Sequence, residues 1–330
     1  MKTQRLLSRR DFLRWLGVVG SGFALDACGK ANLSAPRLTK FTQTSLPPAA
    51  QDTPFSNAAP SGIPYLVISH GESPAEITCR AIKALGGMER FVKNGNEVII
   101  KPNICTDYHP YEYAATTNPE VVAELVEECL AAGARRVRVM DSPFGGTAQS
   151  AYRKSGIAEA VEKAGGQMEV MVGAKFAKSP IPQGVDIHEW WVYQDVLAAD
   201  VLINVPIAKH HDSAGLTLGC KNLMGTVQLR DRLHANLHQR IADITSLIRP
   251  DLTVVDAYRI LTRHGPTGGN LEDVKLTKTV IASADIVAAD AYACTLFGKS
   301  ADDIGYIRNA AGMGIGTKDL TAIKIEELTA

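Results

Sequence analysis

The feature that most narrows what this chain can fold into is an alternation. From Ile63 onward, short runs rich in β-branched and aliphatic residues trade places with longer amphipathic segments, the pattern of a mainly parallel sheet whose crossovers are helices. Strands are predicted over 65–69, 97–101, 136–140, 168–172, 201–205, 252–256 and 279–282, and helices over 74–85, 121–132, 148–164, 231–247, 285–297 and 301–311. Pro74 sits where a first turn tolerates proline, and Asn118-Pro119-Glu120 supplies a cap, a proline and a first-turn acid before Gly133 ends the next helix. Parallel strands need right-handed crossovers, so helices are expected on both faces, and the apolar run 201–205 suits a central position. No internal repeat or inter-domain linker follows Ser61, so the expectation is one α/β domain over 62–330 with a single core.

The segment before that domain has a different character. Ser8-Arg9-Arg10-Asp11-Phe12-Leu13 places an arginine pair ahead of an apolar stretch from Trp15 to Leu25, the layout of a twin-arginine export signal over 1–27. The stretch is broken by Gly17, Gly20 and Gly22 and falls short of the ~18 apolar residues of a spanning helix, so cleavage is expected. Leu25-Asp26-Ala27-Cys28 has the form of a lipobox with an unusual Asp. Cleavage then either leaves Cys28 as a lipidated first residue or occurs simply near Ala27. Residues 28–61 are rich in Pro, Ser, Thr, Gln and Ala without apolar periodicity and read as a disordered tether. The expected address is the periplasm or the extracytoplasmic face of the membrane, with the export machinery as a partner and the membrane as another if Cys28 carries a lipid. Twin-arginine systems carry folded passengers, which leaves room for a cofactor inserted before export.

Charge excludes one class of partner. The full chain has formal net charge zero, and removing 1–27 takes away five basic and two acidic residues, leaving minus three, so no nucleic acid is implied. Cys79, Cys105, Cys129, Cys220 and Cys294 remain without any Cys-x-x-Cys pair, so no iron–sulfur or zinc spacing is present.

Candidate chemistry collects where ligands bind in open α/β sheets, beyond the carboxyl ends of strands. The second predicted strand runs into Lys101-Pro102-Asn103, the third into Asp141-Ser142-Pro143, the fifth into Asn204-Val205-Pro206 and then Lys209-His210-His211, and the sixth into Asp256. Any one of these acids or amides alone reads as a turn or cap. Together they gather lysines, carboxylates, amides and an imidazole at one rim. The segment Leu216–Gly225 is unusual because Lys221 and Asn222 interrupt an apolar run bounded by Gly219 and Gly225, and glycines let a backbone approach a ligand closely. Cys220 beside Lys221 is either a reactive thiol or a packing residue. His234 and His238, four apart on a predicted helix, would share a face that either ligates a divalent metal, makes hydrogen bonds to a ligand or is simply solvated. Arg263-His264-Gly265-Pro266 reads as a loop able to close over the rim, or as a plain surface turn.

The ordered set Lys101-Pro102-Asn103, Thr117-Asn118-Pro119-Glu120, Asp141-Ser142-Pro143, Lys209-x-His211, Lys221-Asn222-x-x-Gly225, His234, Asp256, Gly265-Pro266 and Asp285 to Asp290 resembles the domain of unknown function 362 family over about 64–328. The resemblance implies site roles for Lys101, Asn103, Asp141, Lys209, His211, Lys221, Asn222, His234 and Asp256. Some relatives carry a ferredoxin-like iron–sulfur module, and this chain departs from them in having none. The leading expectation is an exported, enzyme-like domain binding a small anionic ligand: Lys101, Lys209 and Lys221 neutralise it, His211 or His234 handles a proton, and Asp141 and Asp256 orient those groups or hold a metal. Asn103, Asn222, Gly225 and His264 complete the expected ligand contacts. The alternatives are a non-catalytic ligand- or metal-binding lipoprotein, and a redox or assembly partner of an exported iron–sulfur enzyme.

Overall fold

The computed structural model describes residues 65–329, so the expected signal, Cys28 and the tether lie outside the described residues. The strands are β1 (Leu66–His70), β2 (Glu97–Pro102), β3 (Arg136–Val139), β4 (Gln167–Met168), β5 (Phe176–Pro180), β6 (Glu189–Tyr193), β7 (Val201–Val205), β8 (Ile207–His211), β9 (Gly215–Thr217), β10 (Leu252–Leu261), β11 (Val274–Ser283) and β12 (Ile325–Thr329). The longer helices are α1 (Pro74–Ala84), α2 (Pro119–Ala131), α3 (Ala148–Lys154), α4 (Ile157–Lys163), α5 (Leu237–Leu247), α6 (Ile286–Thr295) and α7 (Gly305–Gly312).

Among the described residues, the main sheet runs in the order β12-β1-β11-β10-β7-β2-β3-β4, with β8 and β9 as a side branch on β10. Neighbours from β10 through β4 are parallel, and β11 alone in that row runs against both its neighbours. The expected class, a mainly parallel α/β sheet with helices on both faces, is therefore the observed one. Its apolar interior is divided by the sheet into two layers. Val67, Val98, Ile100 and Ile203 pack with α1, α2 and α4 through Ile77, Val121, Leu125 and Ile157. Leu66, Ile68, Ile99 and Leu202 pack on the other face with α5, α6 and α7 through Ile241, Val287 and Ile307. Successive strand residues point to opposite faces, so each central strand feeds both layers, and each fully buried aliphatic side chain is worth about 1.5–3 kcal/mol.

Local sequence explains the helix ends. Asn118 caps α2 by accepting from the Glu120 N–H, and Asp285 caps α6 by accepting from those of Val287 and Ala288. Two predicted helices are broken. The one over 148–164 splits at Gly156, which takes a left-handed φ of 77°, and the one over 231–247 is interrupted at Asn236 (φ −149°, ψ 62°) before α5 begins. The predicted strand over 168–172 pairs only at Gln167–Met168. Lys209 and His211, expected just beyond the end of the fifth predicted strand, lie on β8: Pro206 interrupts the ladder and pairing resumes against β10.

Candidate functional site

The chain runs outward from β2 through β3 to β4, then returns to lay β7 on the other side of β2 and continues to β10. The strand order therefore reverses between β2 and β7, and a crevice opens beyond their carboxyl ends at such a reversal. A cavity of about 820 Å³ lies there, lined by Lys101, Asn103, Asp141, Lys209, His211, Lys221, Asn222, Gly225 and His234 of the sequence-derived set. Residues separated by more than a hundred positions meet in one pocket.

Its floor is a saturated polar web. Lys101 is fully buried, and its Nζ reaches Asp141 Oδ1 at 2.7 Å, the Pro102 carbonyl at 2.9 Å and Asn222 Oδ1 at 3.0 Å. Burial pulls this ammonium below the usual lysine range, while the charge of Asp141 pulls it back. Asn222 Oδ1 also accepts from Asn103 at 2.9 Å, and its amide donates to Asn204 at 2.9 Å, which itself donates to the Gly219 carbonyl at 3.0 Å. Lys209 Nζ donates to the carbonyls of Ala115 (2.6 Å) and Pro266 (3.0 Å) and to Asn103 Oδ1 (2.9 Å), with Cys105 Sγ at 3.4 Å. Asp141 accepts in addition from the backbone of Ile104 at 2.6 Å and Ser142 at 2.8 Å. An ammonium has three protons to give, so Lys101 and Lys209 have spent theirs within the protein. The expectation that both neutralise a ligand directly is corrected accordingly: they brace the floor and contribute field.

Lys221 differs. It is 8% exposed, and among the described residues its Nζ meets only the Met224 thioether, at 3.5 Å. Burial first, then the charges of Lys209 and Arg230, push its pKa down to about 7. Nearby His211 is half-buried with Nδ1 at 3.3 Å from Ser213 Oγ, and burial together with Lys221 and Lys209 pushes it down to about 3, so it is neutral at physiological pH. Gly225 has no side chain for a reason of space. A Cβ there would collide with Asp141 Oδ1 and stand 2.8 Å from Lys101 Nζ.

Other expected members lie elsewhere. Asp256 is buried beside the pocket but not in its wall: its carboxylate accepts from the backbone of Asn118 at 2.7 Å and Tyr258 at 3.0 Å, tying the start of α2 to β10, and burial raises it to about 6. His264 is 73% exposed at its side chain, is held 2.6 Å from Asp273 and does not line the cavity. Its loop reaches the site through Pro266 instead. The break at Asn236 separates the expected histidine pair. His234 lines the mouth, with Nδ1 3.3 Å from the Arg230 carbonyl, whereas His238 stacks on Tyr306 with ring centroids 6.2 Å apart. The two expected partners are thus in different settings, and His238 does not line the cavity. Among the described residues, a three-donor cluster with ligand atoms within 4.8 Å of one another comprises Cys79, Glu124 and Glu128, which share nothing with the pocket. Cys220 is a packing residue: it is fully buried and its thiol is raised well above the ordinary value.

Sequence reasoning passed over Arg230, Cys105, Phe144 and Leu229, all of which line the cavity. Arg230 gives two N–H groups to the carbonyls of Ser142 (2.7 Å) and Pro143 (3.4 Å), leaving others of its five for a ligand. Its nearness to the glycine-bounded segment, five residues beyond Gly225, was the available signal. Phe144 and Leu229 are exposed apolar groups at the mouth.

These features define a class: an α/β protein with a cation-rich pocket at the switch point of a mainly parallel sheet. The family model described as domain of unknown function (DUF362) matches residues 98–295, and the chain belongs to that family. A thylakoid-associated protein of Synechocystis sp. is 28% identical over 218 residues, covering 63% of this chain and 65% of that protein, just under two thirds of its length. Among solved structures, the lactate racemase apoprotein of Thermoanaerobacterium thermosaccharolyticum superposes with a TM-score of 0.47 at 15% identity, over 70% of this chain and 56% of that one. A Thermotoga maritima protein does so with a TM-score of 0.44 at 13% identity, over 69% and 60%.

Proposed function

We propose that the pocket binds a small organic anion, and that Lys221 and Arg230 rather than Lys101 or Lys209 receive its negative group. One observation carries this reading. Of the three buried lysines in the wall, only Lys221 lacks an oxygen partner among the described residues. A buried ammonium without an acceptor is costly, so the position favours a ligand that supplies one. Met224, Phe144, Leu229 and Pro266 give the ligand's carbon body an apolar lining, as usual in small-molecule sites. Neutral His211 adds an uncharged imidazole beside the cations, able to give or accept a hydrogen bond with the ligand.

Phenylacetate, a carboxylate with an apolar body, is a suitable probe. Replacing Lys221 by Met should weaken its binding about ten- to hundredfold by calorimetry, the range expected when a charge-assisted hydrogen bond is lost. Equal affinity in the wild type and Lys221→Met would sink the assignment. The reading extends to location: the Arg9-Arg10 signal favours a pocket that operates outside the cytoplasm.

A further inference from the structure

We propose that Lys221 also acts as a nucleophile, condensing with the carbonyl carbon of an α-keto acid to form an imine. The inference rests on the anion-binding reading of the same pocket and names the substrate class within it. Three features carry it. Lys221 is buried, lines the cavity and has no carboxylate within ion-pair distance to hold it as an ammonium. Among the described residues, the buried carboxylates Asp141, Asp256 and Asp290 are committed elsewhere: Asp141 to Lys101 and two backbone N–H groups, Asp256 to Asn118 and Tyr258, Asp290 to Gly219 and Cys220. Arg230 stands in the same wall with unspent N–H groups in the planar fork that matches a carboxylate. An amine able to lose its proton beside a fixed guanidinium is the arrangement for a molecule carrying a carbonyl next to a carboxylate.

The pKa of about 7 leaves much of Lys221 as the free amine at neutral pH, as nucleophilic lysines require. Of the groups around it, Cys105 raises its pKa. Lys209 and Arg230 lower its pKa, and His211 carries no charge near pH 7. Exposed Asp231 and His234 also line the cavity.

The step balances without a redox partner. The Lys221 nitrogen gives its lone pair to the carbonyl carbon, and the carbonyl π bond breaks to an oxyanion that Lys209 and Arg230 stabilise electrostatically. A first proton passes from the nitrogen through solvent to the oxygen, giving a neutral carbinolamine; the second nitrogen proton then reaches the hydroxyl by the same route, and the hydroxyl leaves as water as the carbon–nitrogen double bond forms. One amine and one ketone yield one imine and one water, with no change in oxidation state.

Phenylglyoxylate, which has no enolisable hydrogen, tests this on the full chain. Protein incubated with it and sodium cyanoborohydride should gain one reduced adduct, mapped by peptide mass spectrometry to Lys221, and the rate should rise with pH through about 7. Phenylacetate, lacking the carbonyl, should bind and compete without being trapped. Lys221→Arg, which keeps the charge, should lose at least tenfold in trapping. Binding of both compounds without an adduct, or adducts spread over surface lysines, overturns the imine and leaves the anion site standing. Binding of phenylacetate but not phenylglyoxylate overturns the imine alone, and failure of phenylacetate to bind overturns both readings.

Discussion

At the scale of single residues, the Lys101–Asp141 pair shows how much the site depends on completed hydrogen bonding. Both partners are almost wholly buried, so removing one leaves the other without its counter-charge. Asp141→Ala should cost about 3–5 kcal/mol in chemical denaturation, and combining Lys101→Met with Asp141→Leu should recover part of that loss, because an apolar pair incurs no desolvation penalty. Lys221 predicts a pH dependence whose sign is determinate. In the empty protein its pKa lies near 7 against 10.5 for the free side chain, so the unfolded chain holds more protons between those values and stability should rise with pH across them. An anion that needs the ammonium should bind best below about pH 7 and lose about tenfold per pH unit above it. Titration calorimetry with phenylacetate checks this, and a flat profile through that range contradicts it.

Among elements, the helical turn Gly219–Asn222 positions the site more directly than any long helix. The backbone N–H groups of Gly219 and Cys220 donate to Asp290 on α6 at 2.6 and 2.9 Å, and Asn204 of β7 donates to the Gly219 carbonyl. These contacts fix the turn from both sides of the chain, so Lys221 emerges in one place. Asp290→Ala should leave two buried donors unpaired, costing about 1–3 kcal/mol, and should weaken phenylacetate binding although Asp290 is absent from the pocket wall. Gly225→Ala should be worse for the site than for the surrounding fold, since its methyl group would fall on the Lys101–Asp141 pair. A binding loss exceeding the change in denaturation midpoint is the expected signature. The unusual character of this segment was legible because polar residues between glycines fit neither a core nor a solvated face. The role of Asp290 was not, because a buried acid accepting backbone N–H groups has no period or spacing of its own.

For the whole molecule, the sheet was readable because apolar runs and caps are local signals, and the class followed from their alternation. What sequence could not supply was long-range pairing. β8 was hidden behind Pro206, whose break in the ladder looks like the end of a strand, and the antiparallel setting of β11 depends on what it pairs with. The same limit governed the site. Of the nine sequence-derived residues that converge on the cavity, all but the helical His234 follow strand ends or lie in the glycine-bounded segment, but Asp256 and His264 share that placement and turn aside. Side-chain direction, and the hydrogen bonds that use up Lys101 and Lys209, emerge only from tertiary packing. The N-terminal reading is tested apart from the fold: changing Arg9 and Arg10 both to Lys should retain the chain in the cytoplasm in a fractionation assay, and unimpaired export would remove the twin-arginine assignment.

Which cation meets the ligand is answered most directly by a crystal structure with phenylacetate bound. It should place the carboxylate between Lys221 Nζ and the Arg230 guanidinium, with the Lys101–Asp141 contact unbroken and the ring toward Phe144 and Leu229. A carboxylate seated instead on Lys101 or Lys209, with their internal hydrogen bonds displaced, would contradict the assignment to Lys221 and Arg230.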